Sequence, residues 1–307
     1  MKRILITTIL TLLFFSKTFA CLNGDSKILK DGTFLYEDFE GNVPYGHSFN
    51  KESFESGILK LDSLYKATKD IDYLSDKGLL LILLERYNEA VKLYLAIEKV
   101  APNRYSTASN IGTAYELLGQ NENALRWIKK SVELDPKSHH NSEWIHIQIL
   151  EAKIKGESFY NTNFLLNTEF GSDTLPNSKM TNQQLQDLSN ALYYQLNERI
   201  SFVKPKEKIV AQLLFDLGNI ALLLGNYYDA VVDYEQAKLY GYSGPIIEQR
   251  IEKTKTFIKQ EKKQTGQMKV KIKKLTTHFR DELWIWGGLM LTILIITVFI
   301  LKKKYNR

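Results

Sequence analysis

The residues whose types and spacing could carry chemistry are His139, His140, Glu143 and His146, the one place where imidazoles cluster in this chain. On a helix, His139, Glu143 and His146 fall at i, i+4 and i+7 and share a face, which could hold a metal ion between nitrogen and oxygen ligands. The surrounding pattern speaks against it. No His-Glu-x-x-His is present, and the inverted form His-x-x-Glu-His fails because Trp144 stands where the second histidine belongs. Histidines just after Pro136 also sit where a surface turn and a helix start would put them, so solvated polar residues are the preferred reading. No glycine-rich phosphate loop precedes a helix, and no nucleophile elbow occurs. The single cysteine, Cys21, excludes a Cys-x-x-Cys pair and an internal disulfide. The expectation is a protein that is not an enzyme and takes no cofactor or metal, with a metal-dependent enzyme built on the His139 to His146 cluster as an alternative.

That cluster lies at the end of a repeat. Gly78, Ala90 and Pro102 recur as Gly112, Ala124 and Pro136, each pair 34 residues apart. Small residues inside helical patterns with a proline near each end describe stacked helix-turn-helix units. In the second unit Tyr105 to Leu118 reads as one helix, Gly119-Gln120-Asn121 as a tight turn, and Asn123 to Leu134 as a second helix ended before Pro136. Gly112 and Ala124 are expected to face each other, with Tyr115, Leu118, Trp127, Ile128 and Val132 filling the space around them. A third copy spans Ala211 to Gly244, through Asp216-Leu217-Gly218-Asn219-Ile220-Ala221, Leu224-Gly225-Asn226-Tyr227-Tyr228-Asp229-Ala230, Tyr234 and Ala237.

These units resemble the tetratricopeptide repeat, whose pattern places Gly at position 8, a bulky residue at 11, Gly at 15, an aromatic at 17, Ala at 20, an aromatic at 24 and Pro at 32. The first copy, 71–104, has Glu85 at position 15 but keeps Tyr87, Ala90, Tyr94 and Pro102. The second, 105–138, has Asn121 and Ile128 where aromatics are usual, and the third has the small Ala221 at position 11 and Tyr242 in place of proline. The resemblance implies an all-α solenoid of helix pairs wound as a right-handed superhelix. It also implies a concave groove lined by the first helix of each pair, with partner contacts at positions 2, 5, 9, 12 and 13. These fall on Asp72, Ser75, Leu79, Ile82 and Leu83, then on Ser106, Ser109, Thr113, Glu116 and Leu117, and last on Gln212, Phe215, Asn219, Leu222 and Leu223. The set is mainly apolar and neutral polar. It lacks the Lys/Arg cluster that a clamp for peptide carboxylates needs.

The third copy is out of phase with the first two. Ser142 to Lys155 can form a helix, whereas Gly156 to Lys179 is rich in Asn, Ser, Thr and Gly and reads as a long connection. A helix restarts at Thr181, where Gln184 completes a capping-box pattern ahead of the stripe Leu185, Leu188, Leu192 and Leu196. The chain therefore divides into repeats over 51–155, a loop insertion over 156–180 and further repeat-like helices over 181–260.

The two ends suggest a location. Met1-Lys2-Arg3, an apolar run from Ile4 to Phe15 and Thr18-Phe19-Ala20 make residues 1–20 a signal peptide, followed at once by Cys21, which an envelope lipoprotein or assembly factor would carry acylated. Segment 21–50 holds a short hairpin around Asp31-Gly32 and then turn-rich sequence, serving as a cap or a recognition arm. Residues 283–301 carry no charge, are about 28 Å long as a helix and precede the basic tail 302–307, which reads as one transmembrane helix behind a basic juxtamembrane segment, 261–282. The formal net charge of +6 gathers mostly after Arg250, without the interleaved aromatics of a nucleic-acid platform. The expected protein is a single-pass scaffold in a bacterial envelope, its repeats extracytoplasmic (periplasmic) and its C-terminus cytoplasmic. It would hold a protein partner in its groove and bind no nucleic acid; a tail-anchored cytoplasmic adaptor is the alternative topology.

Overall fold

A computed structural model describes residues 24–39, 41–267 and 269. The chain forms two compact units, Met1–Ile251 and Glu252–Arg307. In the second, residues 252–267 are helical. The first opens with two antiparallel strands, β1 (Gly24–Ile28) and β2 (Phe34–Phe39), joined through Asp31-Gly32 and paired from Gly24 with Phe39 to Ile28 with Phe34. A hairpin of this size is marginal alone. Here Leu29 and Leu35 are buried in the same cluster as Phe54, Leu61 and Leu80, so the helices behind it supply the missing layer.

The helices follow as α1 (Phe54–Thr68), α2 (Asp72–Leu83), α3 (Tyr87–Val100), α4 (Tyr105–Leu117) and α5 (Asn121–Leu134). A short α6 (Ser138–Asn141) leads into α7 (Glu143–Lys155), and α8 (Thr162–Leu166) interrupts the connection that follows. Then come α9 (Asn182–Phe202), α10 (Lys208–Leu223) and α11 (Tyr227–Tyr240). The capping box read at Thr181 and Gln184 is present at the start of α9, satisfying amides that the first helical turn leaves open. Successive neighbours pack as antiparallel pairs, α2 with α3, α4 with α5 and α10 with α11.

The glycines set the spacing of each pair. A Cβ built on Gly78 would lie 2.4 Å from the ring of Tyr94, one on Gly112 2.5 Å from Ile128, and one on Gly218 2.7 Å from Tyr234. The same pair of repeat positions is in contact each time, so a large side chain on the second helix is seated where the first helix has none. Ile128, one turn beyond Ala124, is the residue that closes on Gly112. The turn between the helices needs a left-handed residue, and Gly119 (φ 74°) and Gly225 (φ 81°) supply it. Glu85 adopts the same conformation (φ 63°) in the first repeat, at a cost of about 1 kcal/mol relative to glycine.

The membrane part of the expected architecture does not stand. Among the described residues no helix is long and apolar enough to cross a membrane. The apolar α10 has 16 residues and so spans about 24 Å, and it buries Asp216 at its centre against other helices. The longer α9 has 21 residues but carries Gln, Asn, Asp and Arg along its length. The stretch 283–301, the signal peptide expected over 1–20 and Cys21 lie outside the described residues. The assignment to a single-pass topology, with periplasmic repeats and a cytoplasmic C-terminus, is corrected with it.

Gly218→Leu is expected to lower stability by about 1–3 kcal/mol through overpacking against Tyr234. Gly119→Asn, at a left-handed turn with nothing near its Cβ, is expected to cost well under that. Urea denaturation followed by circular dichroism compares the two; equal effects would refute the seating of position-24 residues on these glycines.

Candidate functional site

The expected groove residues separate into two surroundings. From the first two repeats, Ser75, Leu79, Ile82 and Leu83 on α2 and Ser106, Ser109 and Thr113 on α4 line one cavity of about 360 Å³. Its far wall is the hairpin with Tyr36, the segment after it with His47, and the end of α9 with Tyr194, Glu198 and Phe202. Asp72 lies at the margin, where its carboxylate accepts from Lys30 (2.9 Å) and Arg104 (2.5 Å). Ser109, Thr113, Glu116 and Leu117 also line a second cavity of about 250 Å³, closed by α7 and α9.

The third repeat is different. Phe215, Asn219 and Leu222 are buried, and the loop of the insertion covers Asn219 through Arg250. The Arg250 guanidinium donates to the carbonyls of Gly171 (2.7 Å) and Asp173 (2.9 Å) and to Asn219 Oδ1 (2.6 Å), which also accepts from the Tyr234 hydroxyl (2.9 Å). Phe215 stacks on Tyr242 at 4.1 Å. Gln212 Nε2 donates to Thr162 Oγ1 and to Asp216 (both 3.1 Å), whose carboxyl burial pushes up to about 7. Leu223 is half-buried at the helix end. Arg250, held by the carbonyls of the loop, thus occupies the surface around Asn219 that the first two repeats leave over a cavity.

Between α4, α7 and α9 lies a buried charge cluster. Glu116 accepts from Arg199 Nη1 (2.6 Å), Lys153 Nζ (2.7 Å) and His146 Nε2 (2.7 Å). Glu143 contacts His139 through one oxygen and lies 3.6 Å from His146 Nδ1 through the other. The His139 ring stacks on Tyr194 (5.1 Å) and meets Tyr105 edge-on. The expectation of solvated residues at a surface turn is overturned for Glu143 and His146, which are 4% and 8% exposed, while His139 is half-buried. Periodicity expects His139, Glu143 and His146 on one helix face; the structure breaks that helix at Asn141, leaves His139 half-buried on α6 and turns Glu143 and His146 inward, and Arg199 and Lys153, the groups that make their burial tolerable, carry no local signal.

The electrostatics follow from that company. Burial alone would raise the Glu116 carboxyl, yet Arg199, His146 and Lys153 together hold it well below the ordinary carboxylate range. Glu143 goes the same way because His139 and His146 outweigh its burial. Burial would lower His146, but Glu116 and Glu143 outweigh it, and the imidazole is raised above its usual value. Both carboxylate oxygens of Glu116 are already taken by cations. Among the described residues no group of three or more His, Cys, Asp or Glu side chains is placed to hold a metal.

In each of the three repeats the second helix seats a large residue on a glycine of the first, and a left-handed residue makes the turn between them. Residues 106–138 match the tetratricopeptide repeat. The match is to a repeat and not to a catalytic domain. No curated protein matches the sequence. Among solved structures, the chain is similar to the MamA RS-1 ArsTM double mutant, at 14% identity over 61% of this chain and 85% of that one, with a TM-score of 0.35. It is similar to a thermophilic TPR protein in Thermus thermophilus, at 12% identity over 66% and 90% of the two chains, with a TM-score of 0.32. A tetratricopeptide repeat protein from Parabacteroides merdae gives 16% identity over 66% and 78%, with a TM-score of 0.34.

Because Arg199 is buried opposite Glu116 of the matched repeat, Glu116→Gln is expected to cost about 3–5 kcal/mol by leaving an uncompensated cation. The pH dependence has a defined sign. The raised His146 contributes stability that is complete below about pH 6.5 and lost as pH rises through its folded value, whereas Glu116 and Glu143 contribute above about pH 4.5 and lose it as pH falls. Urea melts of the native chain and of His146→Leu between pH 5 and 9 should therefore converge in midpoint trend only toward alkaline pH; a constant difference would refute the coupling.

Proposed function

We propose that this chain is a non-enzymatic scaffold that binds a protein partner on the concave face of its first two tetratricopeptide-like repeats. The repeat fold by itself points to protein–protein interaction. The observation that carries this reading is that Ser75 and Leu79 of α2 and their equivalents Ser109 and Thr113 of α4, together with Ser106, line a single cavity of about 360 Å³. That volume falls within the ~300–1,000 Å³ range of ligand pockets and admits side chains of an inserted segment. Its walls combine apolar side chains with hydroxyls and with the carboxylates of Asp76 and Glu198. Such a surface suits an extended segment with apolar and hydroxyl-bearing side chains. It does not suit a chain-terminal carboxylate, which needs a pair of cations facing it. The corresponding face of the third repeat, covered by the insertion loop and Arg250, is assigned to the internal framework of the fold.

A photo-crosslinking amino acid placed at Ser106 or Thr113, in cells producing the chain, is expected to yield one discrete cross-linked polypeptide. The same group at the exposed Lys92 on α3 or Arg126 on α5, on the opposite helices of the same repeats, is expected to yield none. Ser109→Arg, which fills the cavity, should lower the yield from Ser106 about tenfold, equivalent to about 1.4 kcal/mol of binding free energy. Equal yields from the two faces would sink the groove assignment.

A further inference from the structure

The last two turns of α9 are held from both sides. Toward the repeats, Gln195 Nε2 donates to Ser142 Oγ (3.0 Å), Arg199 pairs with Glu116, and Phe202 packs on the first hydrophobic cluster. Toward the hairpin, the backbone amides of Tyr45 and Gly46 donate to Asn197 Oδ1 (3.2 and 2.8 Å), and that of His47 donates to Ser201 Oγ (2.7 Å). The fit there is close: Gly46 has φ 77°, and a Cβ on it would lie 2.9 Å from the Ser201 nitrogen. Phe49 meets Phe202 at 5.8 Å between ring centres. Segment 42–49 thus lies across the end of α9 with no regular secondary structure of its own, and His47 and Phe49 form part of the wall of the 360 Å³ cavity.

The contact at its centre is chemically conditional. His47 Nδ1 contacts Asp38 of β2, and its Nε2 lies 3.2 Å from Glu198 of α9, while the ring stacks on Tyr36 at 3.9 Å. A neutral imidazole has one donor and one acceptor, so it can satisfy only one of two facing carboxylates; the imidazolium donates to both. We propose that segment 42–49 is a latch on the concave face, clasped to α9 by His47 between Asp38 and Glu198, and that it opens when His47 gives up its proton. Opening removes the wall formed by His47 and Phe49 and so widens access to the cavity assigned above to the partner. The latch rests on that reading for its consequence only.

The other groups around the ring do not replace this control. Lys51, Glu85, Tyr87 and Lys204 line a small space with His47 and include both charge signs; Lys27, Asp76, Tyr105 and His139 line the 360 Å³ cavity with it, and Tyr194 of α9 stands near Glu198. Burial lowers the tendency of His47 to hold a proton, but Glu198 and Asp38 outweigh it, and the net direction is upward. The clasp is therefore complete below about pH 6.5 and is lost as pH rises through the higher folded value.

The test reads distances between spin labels at Ser48→Cys and Asn190→Cys in the full chain, with Cys21→Ser removing the native thiol. A narrow distribution at pH 6 that broadens toward longer distances at pH 9 is expected. His47→Arg, permanently charged, should stay narrow at both values, and Glu198→Gln should move the midpoint of opening to lower pH, which a merely structural contact would not do. A wild-type distribution unchanged between pH 6 and 9, or a pH response that survives in His47→Arg, overturns the latch. No partner is present in this measurement, so a failed latch leaves the groove reading standing, and failed cross-linking at Ser106 leaves the latch standing.

Discussion

Glu116 brings a carboxylate into the interior at a position where a tetratricopeptide-like repeat would ordinarily face its groove, and much of the arrangement around it answers that placement. A buried carboxylate is tolerated only with cations against it, and three are supplied from two other helices: His146 and Lys153 from α7, Arg199 from α9. Satisfying Glu116 therefore fixes where the C-terminal turns of α9 lie. Once they lie against α4, Phe202 reaches the first hydrophobic cluster, and Asn197, Glu198 and Ser201 present the surface on which segment 42–49 rests. The far wall of the 360 Å³ cavity is thus built by the chain itself, through a sequence of contacts that starts at one ion pair.

Local and non-local forces divide the work. Within each helix pair the geometry follows from bulk: a glycine admits the side chain at the position seated on it, Tyr94, Ile128 or Tyr234, and a left-handed residue reverses the chain. Between pairs, polar groups decide. The loop of the insertion turns its carbonyls to Arg250, which reaches Asn219 and so closes the third repeat, while the matching positions of the first two repeats line cavities. The same repeat architecture therefore presents two surfaces of different character, one internal and one facing a space large enough for a partner's side chains.

The sequence by itself determined the helix pairs of the three repeats, the hairpin around Asp31-Gly32 and the capped start of α9, because periodicity, glycine placement and capping residues act over a few neighbouring residues. It also put Glu143 and His146 on one face by helical spacing, although the structure sets His139 on α6, separated from them by the left-handed Asn141. Whether that face meets water or the interior was decided only in the tertiary structure, since the answer depends on Arg199, more than fifty residues away along the chain, arriving beside Glu116. Equally out of reach was the covering of Phe215 and Asn219 by Arg250, because the carbonyls of the insertion that hold its guanidinium have no signature in the sequence. The bridging of Asp38 and Glu198 by His47 is of the same kind: each residue is unremarked in its own segment, and the interaction exists only where three separate elements converge.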